Sequence, residues 1–161
     1  MLLTLLDTQG PGAYPLQTTT AVYSEGGGQT YTTTQTVNPP ANSRLVAICR
    51  AGRGGHTAAY SWSFTASGGL GAMTVAWTGA ENPAPGNIFA RQMAIAYVDV
   101  GPTPPTNVAV TVDAWATTDT GQYGVALICL TNYNAGAWLA QTPGEAYQDP
   151  GATTTTPALA A

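Results

Sequence analysis

The chain has 161 residues, which fits one domain able to bury a core without disulfides or metals. Charged residues are 7% of the chain and all four cations are arginines, against roughly 25% charged residues in an ordinary soluble domain. A hydrophobic content of 44% argues against disorder, no run approaches the ~20 apolar residues of a spanning helix, and dispersed arginines do not make a phosphate-binding surface. We therefore expect a compact domain that binds neither membrane nor nucleic acid.

Residues 1–17 are predicted to be an N-terminal arm or docking segment. They carry Leu2, Leu3, Leu5 and Leu6, but they have no basic region, and their apolar run is shorter than the ~7–15 residues of a signal peptide. We expect synthesis in the cytoplasm without secretion. The leucines either dock on the domain's own core or insert into a neighbouring subunit, because exposed leucines on a free terminus would promote aggregation.

Threonine-rich strands are predicted over residues 18–23 and 29–37, with a flexible glycine turn at 25–28 between them. The continuous apolar run at 45–49 predicts a central strand covered on both faces. A loop is predicted at 52–55, which contains Arg53 and is followed by His56. An ordinary solvated hairpin loop is the favoured interpretation, and the alternative is that its glycines hold an anion through backbone N–H groups.

Apolar and polar residues alternate at 60–65, 73–78 and 108–113, as they do in half-buried strands. Residues 125–130 form a second continuous apolar run and predict another central strand. Residues 89–100 are predicted to be a long strand, with a short helix over 87–93 leading into a strand as the alternative.

These elements predict an all-β domain over residues 18–150, an antiparallel two-sheet sandwich of eight to ten strands. A jelly-roll-like topology is the first expectation and an immunoglobulin-like sandwich the alternative. Residues 151–161 are predicted to be a low-complexity C-terminal tail.

The residue types that support catalysis or metal binding are sparse. The chain has one histidine, two cysteines and no CxxC or GxSxG pattern. We expect no metal, no cofactor and no enzymatic activity. Cys49 and Cys129 are predicted to be buried free thiols, with a disulfide as the alternative if their strands are neighbours.

Aromatic residues near loops are the remaining candidates for contacts. Trp115, Tyr133 and Trp138 could stack on sugars or anchor a protein interface. The alternative is that they cap the open ends of the sandwich.

Four stretches together resemble a known family. They are SRLVAIC at 43–49, the RAGRGG loop at 50–55, the strand ending in AYVDVGP at 96–102, and YGVALICLTNY at 123–133. This layout, over about residues 18–134, looks like the small jelly-roll virion proteins of tailed phages and phage-derived gene transfer agents. It is similar to their head spike, head fibre and decoration components.

The resemblance implies a virion structural protein, a head decoration or spike component that assembles as a symmetric homo-oligomer. Its partners would be other virion proteins, capsid or tail subunits, and its location the virion. The alternatives are a receptor- or carbohydrate-binding module that contacts a host-surface glycan, and a minor tail structural protein. The family transfers no catalytic residues.

Overall fold

A computed structural model describes residues 17–54, 61–81, 89–114 and 120–131 of the chain. These ranges form nine β-strands. They contain no helix long and apolar enough to cross a membrane. The strands are β1 (Gln17–Gly28), β2 (Thr30–Thr32), β3 (Arg44–Gly54), β4 (Ser63–Ala66), β5 (Gly71–Ala72), β6 (Thr74–Glu81), β7 (Phe89–Asp99), β8 (Val110–Asp113) and β9 (Gly121–Thr131).

The strands build two antiparallel sheets, which confirms the predicted all-β sandwich. The larger sheet has the order β1-β9-β3-β7-β6, and the smaller has the order β2-β8-β4-β5. The two continuous apolar runs lie in β3 and β9, which pair with each other inside the larger sheet. Both are central strands, as their composition predicts, because each pairs on its other side with β7 or β1.

The core lies between the two sheets. Alternate residues of β3 and β9 point into it, and the four-stranded sheet covers them with β8 and β4. Val108, Val110 and Val112 are fully buried, which confirms the alternation read from that segment. The largest fully buried side chains also include Leu45, Val125 and Leu127.

Two predicted breaks are strands in the structure. Residues 25–28 continue β1 and pair with β9 as far as Gly28 opposite Gly121. The glycines are needed for close approach, since a Cβ on Gly26 would overlap the buried ring of Tyr31. Residues 52–54 likewise continue β3 and pair with β7. Glycine composition predicted turns at both places, and long-range pairing overrides that local preference.

Other boundaries moved by a few residues. The strand predicted at 29–37 is shorter in the structure, where β2 covers only Thr30–Thr32. Val37, at the end of the predicted range, forms a single antiparallel β-bridge with Val108. The strand predicted from residue 60 begins at Ser63. The long strand predicted at 89–100 is confirmed as β7, which runs without interruption over Phe89–Asp99. The helical alternative is wrong for these residues. The turn before β5 uses Gly68 and Gly69 at positive φ, where glycine is favoured.

Candidate functional site

The face of the five-stranded sheet that points away from the core is unusually apolar. On β3, Leu45, Ala47 and Cys49 belong to the core, whereas Val46 and Ile48 belong to a second apolar cluster. Successive side chains of a strand point to opposite faces, so this second cluster lies on the outer face of the sheet. The outer face therefore has its own hydrophobic content, separate from the core.

One end of the outer face is deeply buried. We call Arg44, Val46, Ile128 and Leu130 the outer cluster, because they are register neighbours on β3 and β9 and all are buried. Val46 is 4% exposed and Ile128 is 7% exposed. Ile48, Ile95 and Tyr97 pack against this group from β3 and β7.

A charged pair closes the outer cluster toward β7. Arg44 donates from Nε to Asp99 Oδ1 at 2.7 Å and from its NH2 nitrogen to Oδ2 at 2.9 Å. Its guanidinium carbon lies 4.1 Å from the ring centroid of Tyr97, a cation–π contact. The two-point geometry holds the arginine side chain flat against the sheet. The guanidinium of Arg44 is therefore buried with its charge paired, while the carboxylate of Asp99 remains accessible to solvent.

The other end of the outer face is open to solvent. We call Tyr23, Glu25, Arg50 and Met93 the Tyr23 patch. Glu25, Arg50 and Met93 are aligned across four strands, since Gly124 pairs with both Glu25 and Arg50, and Arg50 pairs with Met93. Tyr23 is 58% exposed and Met93 is 42% exposed. These are the large hydrophobic side chains that the described surface presents to water.

The Tyr23 ring is held down on the sheet. A Cβ on Gly124 would lie 2.7 Å from the phenol oxygen, so the ring end rests where Gly124 has no side chain. The hydroxyl donates to Glu25 Oε1 at 2.7 Å. This hydrogen bond, which the protonated phenol makes, is the main reason why the pKa of Tyr23 is raised above its ordinary value. The patch therefore presents an oriented aromatic ring between an acidic and a basic side chain.

The outer face of the four-stranded sheet has a different character. Thr32 pairs with Thr111, and Thr111 pairs with Thr65, so hydroxyls line up across three strands. The Thr32 and Thr111 hydroxyls are 2.7 Å apart and hydrogen-bonded to each other. Hydroxyl groups form hydrogen bonds with water, so a partner that covered this surface would gain little free energy. The two outer faces of the sandwich are thus chemically unequal.

Most residues singled out in the sequence as contact candidates lie outside the described ranges. They are Leu2, Leu3, Leu5, Leu6, His56, Trp115, Tyr133 and Trp138. Arg53 falls within β3, where it pairs with Ala90 of β7, so the loop predicted around it begins later in the chain.

The cysteines are free and buried. β3 and β9 are neighbours, but Cys49 is opposite Val125 and Cys129 is opposite Leu45. A four-residue offset separates the two positions by about 13 Å along the strands, too far for a disulfide. Burial raises the pKa of the Cys49 thiol to about 12 and that of Cys129 to about 11. The free-thiol prediction is confirmed and the disulfide alternative is wrong.

Metal ligands are not clustered in the part of the chain that the structure describes, where no three His, Cys, Asp or Glu side chains come together.

The Tyr23 patch was not predicted from the sequence. Val22 and Tyr23 are adjacent and both apolar, so the composition of the segment does not say which one faces the core. Pairing with β9, about a hundred positions away, decides this: Val22 packs on the core and Tyr23 points outward.

Comparisons of the chain with known proteins identified no relative. No protein-family model, no curated protein and no solved structure matches the chain. The residues themselves carry the functional argument.

Proposed function

We propose that this chain is a structural subunit that assembles with copies of itself through the outer face of its five-stranded sheet. The observation that carries the proposal is the contrast between the two outer faces. One presents hydroxyls in register, and the other presents an apolar surface with Tyr23 and Met93 exposed. A sheet face with exposed large apolar groups gains free energy when another surface covers it.

The composition of the Tyr23 patch supports contact with protein. Tyrosine, methionine and arginine are enriched in protein interfaces, and aromatic and arginine side chains often dominate the binding energy. Tyr23 is oriented by Glu25 before any partner arrives, so it loses little conformational freedom on binding. Symmetric homo-oligomers use one patch on every copy.

The low charge of the chain is consistent with such assembly. Four arginines and eight acidic residues in 161 positions give a net charge of −4. Charge repulsion between copies is correspondingly weak. A subunit whose surface is covered in an assembly tolerates this composition better than a free monomer does.

We place the assembly in a virion, as a head decoration or spike component, with a minor tail structural protein as the less favoured position. The support is the resemblance of residues 18–134 to small virion proteins, together with a β-sandwich fold that capsid and lectin domains also use. Mass spectrometry and immunogold labelling of purified particles test the placement. We expect the chain on the head surface in many copies, and its absence from purified particles contradicts the placement.

A carbohydrate-binding module is the second candidate, because the Tyr23 ring is exposed and flanked by the polar groups of Glu25 and Arg50. Such a ring can stack on a sugar while its neighbours hydrogen-bond to the hydroxyls. Binding to a glycan array that disappears in Tyr23→Ala, and persists in a Thr65→Ala control, would favour this candidate. Silence of the native chain across host-surface glycans would count against it.

A further inference from the structure

We propose that two copies of the chain pair across a two-fold axis that runs along β9 above Gly124, so that Glu25 of each copy forms an ion pair with the partner's Arg50. This pairing rests on the proposed function, since it gives a geometry for contact through the same face. It makes the Tyr23 patch complementary to itself and a second copy of the chain its partner.

The two charges of the Tyr23 patch are arranged symmetrically about β9. Gly124 of β9 pairs with Glu25 of β1 on one side and with Arg50 of β3 on the other. Neighbouring strands are about 4.8 Å apart, so the acidic and the basic residue lie at equal distances on opposite sides of β9. Both are exposed. A half-turn about an axis along β9 therefore exchanges their positions.

These two charges do not pair with each other inside one chain. Their backbones are two strand spacings apart, about 10 Å. In the part of the chain that the structure describes, Arg44 forms an ion pair with Asp99, whereas Arg50 forms none. The carboxylate of Glu25 accepts a hydrogen bond from the Tyr23 hydroxyl, and an ionised carboxylate can accept several more. Both groups can therefore bind a partner without breaking a contact within the chain.

Charge complementarity selects this axis from the alternatives. Two copies present the same sheet face to each other only when the two-fold axis lies between the sheets and parallel to them. An axis along β9 brings Glu25 over the partner's Arg50 twice. An axis along β3 brings Arg50 over the partner's Arg50, and an axis perpendicular to the strands, along the row of these residues, brings each charge over its own copy. Because like charges in contact oppose association, the axis along β9 is the favourable one.

The same axis places Tyr23 at the centre of the contact. A Cβ on Gly124 would lie 2.7 Å from the phenol oxygen, so the ring leans from β1 over β9. Since the axis passes above β9, the two copies of the ring meet there. An aromatic residue at the centre of an interface, surrounded by polar contacts, is typical of the residues that dominate binding. Met93, next to Arg50 on β7, then lies at the rim beside the partner's Glu25.

The spacing of packed sheets suits this arrangement. Sheets that pack face to face lie about 10 Å apart, with their strands within about 30° of each other. A glutamate side chain from one sheet and an arginine side chain from the other together span such a gap. Gly124, between the two charges, adds no side chain that would hold the sheets apart.

Charge reversal in the full chain tests the pairing. Glu25→Arg and Arg50→Glu are made separately, then together in one chain, and the two purified single variants are also mixed in equal amounts. Both positions are exposed, so the changes should leave folding intact. Glu25→Gln is the matched control, because it removes the charge and keeps an oxygen that accepts the Tyr23 hydrogen bond. Light scattering after size exclusion gives the mass of each sample over a range of concentrations.

We expect the native chain and the double variant to form pairs, and each single reversal to weaken pairing by about tenfold or more. Glu25→Gln should weaken it less. The mixture should form pairs again, because each variant then meets charges of opposite sign. If the native chain forms an oligomer but the single reversals have no effect, or the mixture stays monomeric, the pairing is wrong and the proposed function stands. A native chain that is monomeric at every concentration contradicts the proposed function itself.

Discussion

At the residue scale, Gly26 shows why a glycine run can belong to a strand. Its missing side chain makes room for Tyr31, which stacks on Tyr123 with ring centroids 5.8 Å apart. Tyr123 is fixed in turn, because its hydroxyl donates to the Gln29 carbonyl at 2.7 Å. The glycine, the two rings and the start of β2 form one packed unit between the sheets.

We predict that Gly26→Ala lowers the free energy of unfolding by about 2–3 kcal/mol, because the added methyl overlaps a buried ring that is held by stacking. Gly101→Ala is the matched control, since nothing lies within 4 Å of its Cβ position. It should change stability by less than about 0.5 kcal/mol. Urea unfolding of both variants measures the difference, and equal effects would mean that Tyr31 can move aside.

The two buried thiols predict a loss of stability in alkali. The pKa values of Cys49 and Cys129 are raised above the ordinary 9.0, to about 12 and about 11. The unfolded chain therefore releases these protons first. Their effect is absent well below pH 9, and stability falls as the pH rises from 9 toward 11. At pH 10 each thiol lowers the free energy of unfolding by about 1.4 kcal/mol.

Denaturant unfolding at pH 8 and pH 10 checks this prediction. At pH 10 a tyrosine whose pKa is raised in the folded state contributes at most about 0.4 kcal/mol, because its unfolded phenol is then only half ionised. Cys49→Ala and Cys129→Ala should each remove about 1.4 kcal/mol of the pH-dependent loss, whatever their effect at pH 8. A loss of the same size in both variants and the native chain would assign it to other groups.

At the scale of the strand, sequence patterns located the sheets well. Alternation identified β8 with its inward valines, and continuous apolar runs identified β3 and β9 as central strands. The patterns failed where local composition opposed long-range pairing, at residues 25–28 and 52–54. They also did not reveal the Tyr23 patch, because the side on which Tyr23 emerges depends on register with β9 rather than on neighbouring residues.

The graded burial of the outer face predicts unequal costs for equal truncations. Ile128 is buried in the outer cluster, whereas Ile95 is only half-buried beside it. We expect Ile128→Ala to lower the free energy of unfolding by about 3 kcal/mol and Ile95→Ala by about 1 kcal/mol. Thermal and urea unfolding of the pair provide the measurement. A larger loss at Ile95 than at Ile128 would contradict the expected dependence of the loss on burial.

At the scale of the whole molecule, the sandwich has one hydroxyl face and one apolar face. The low charge in the sequence indicated weak repulsion between copies, and the proposed contact uses the face on which Tyr23 and Met93 are exposed. The exposed end of that surface carries Tyr23, Arg50 and Met93, and its buried end carries the outer cluster. Sequence reasoning alone could not choose between the faces, because it did not establish which strands pair.

In the proposed assembly, copies of the chain associate through the outer face of the five-stranded sheet. Light scattering of the purified full chain, over a range of concentrations, tests it directly with two charge-insertion variants. Met93→Glu places a charge in the Tyr23 patch, and Thr65→Glu places the same charge on the hydroxyl face. Both sites are exposed, so neither change should disturb folding.

We predict that the native chain and Thr65→Glu form an oligomer of defined mass, and that Met93→Glu shifts to the monomer. A native chain that stays monomeric at every concentration contradicts the proposed assembly. An oligomer that Thr65→Glu disrupts and Met93→Glu leaves intact contradicts it as well.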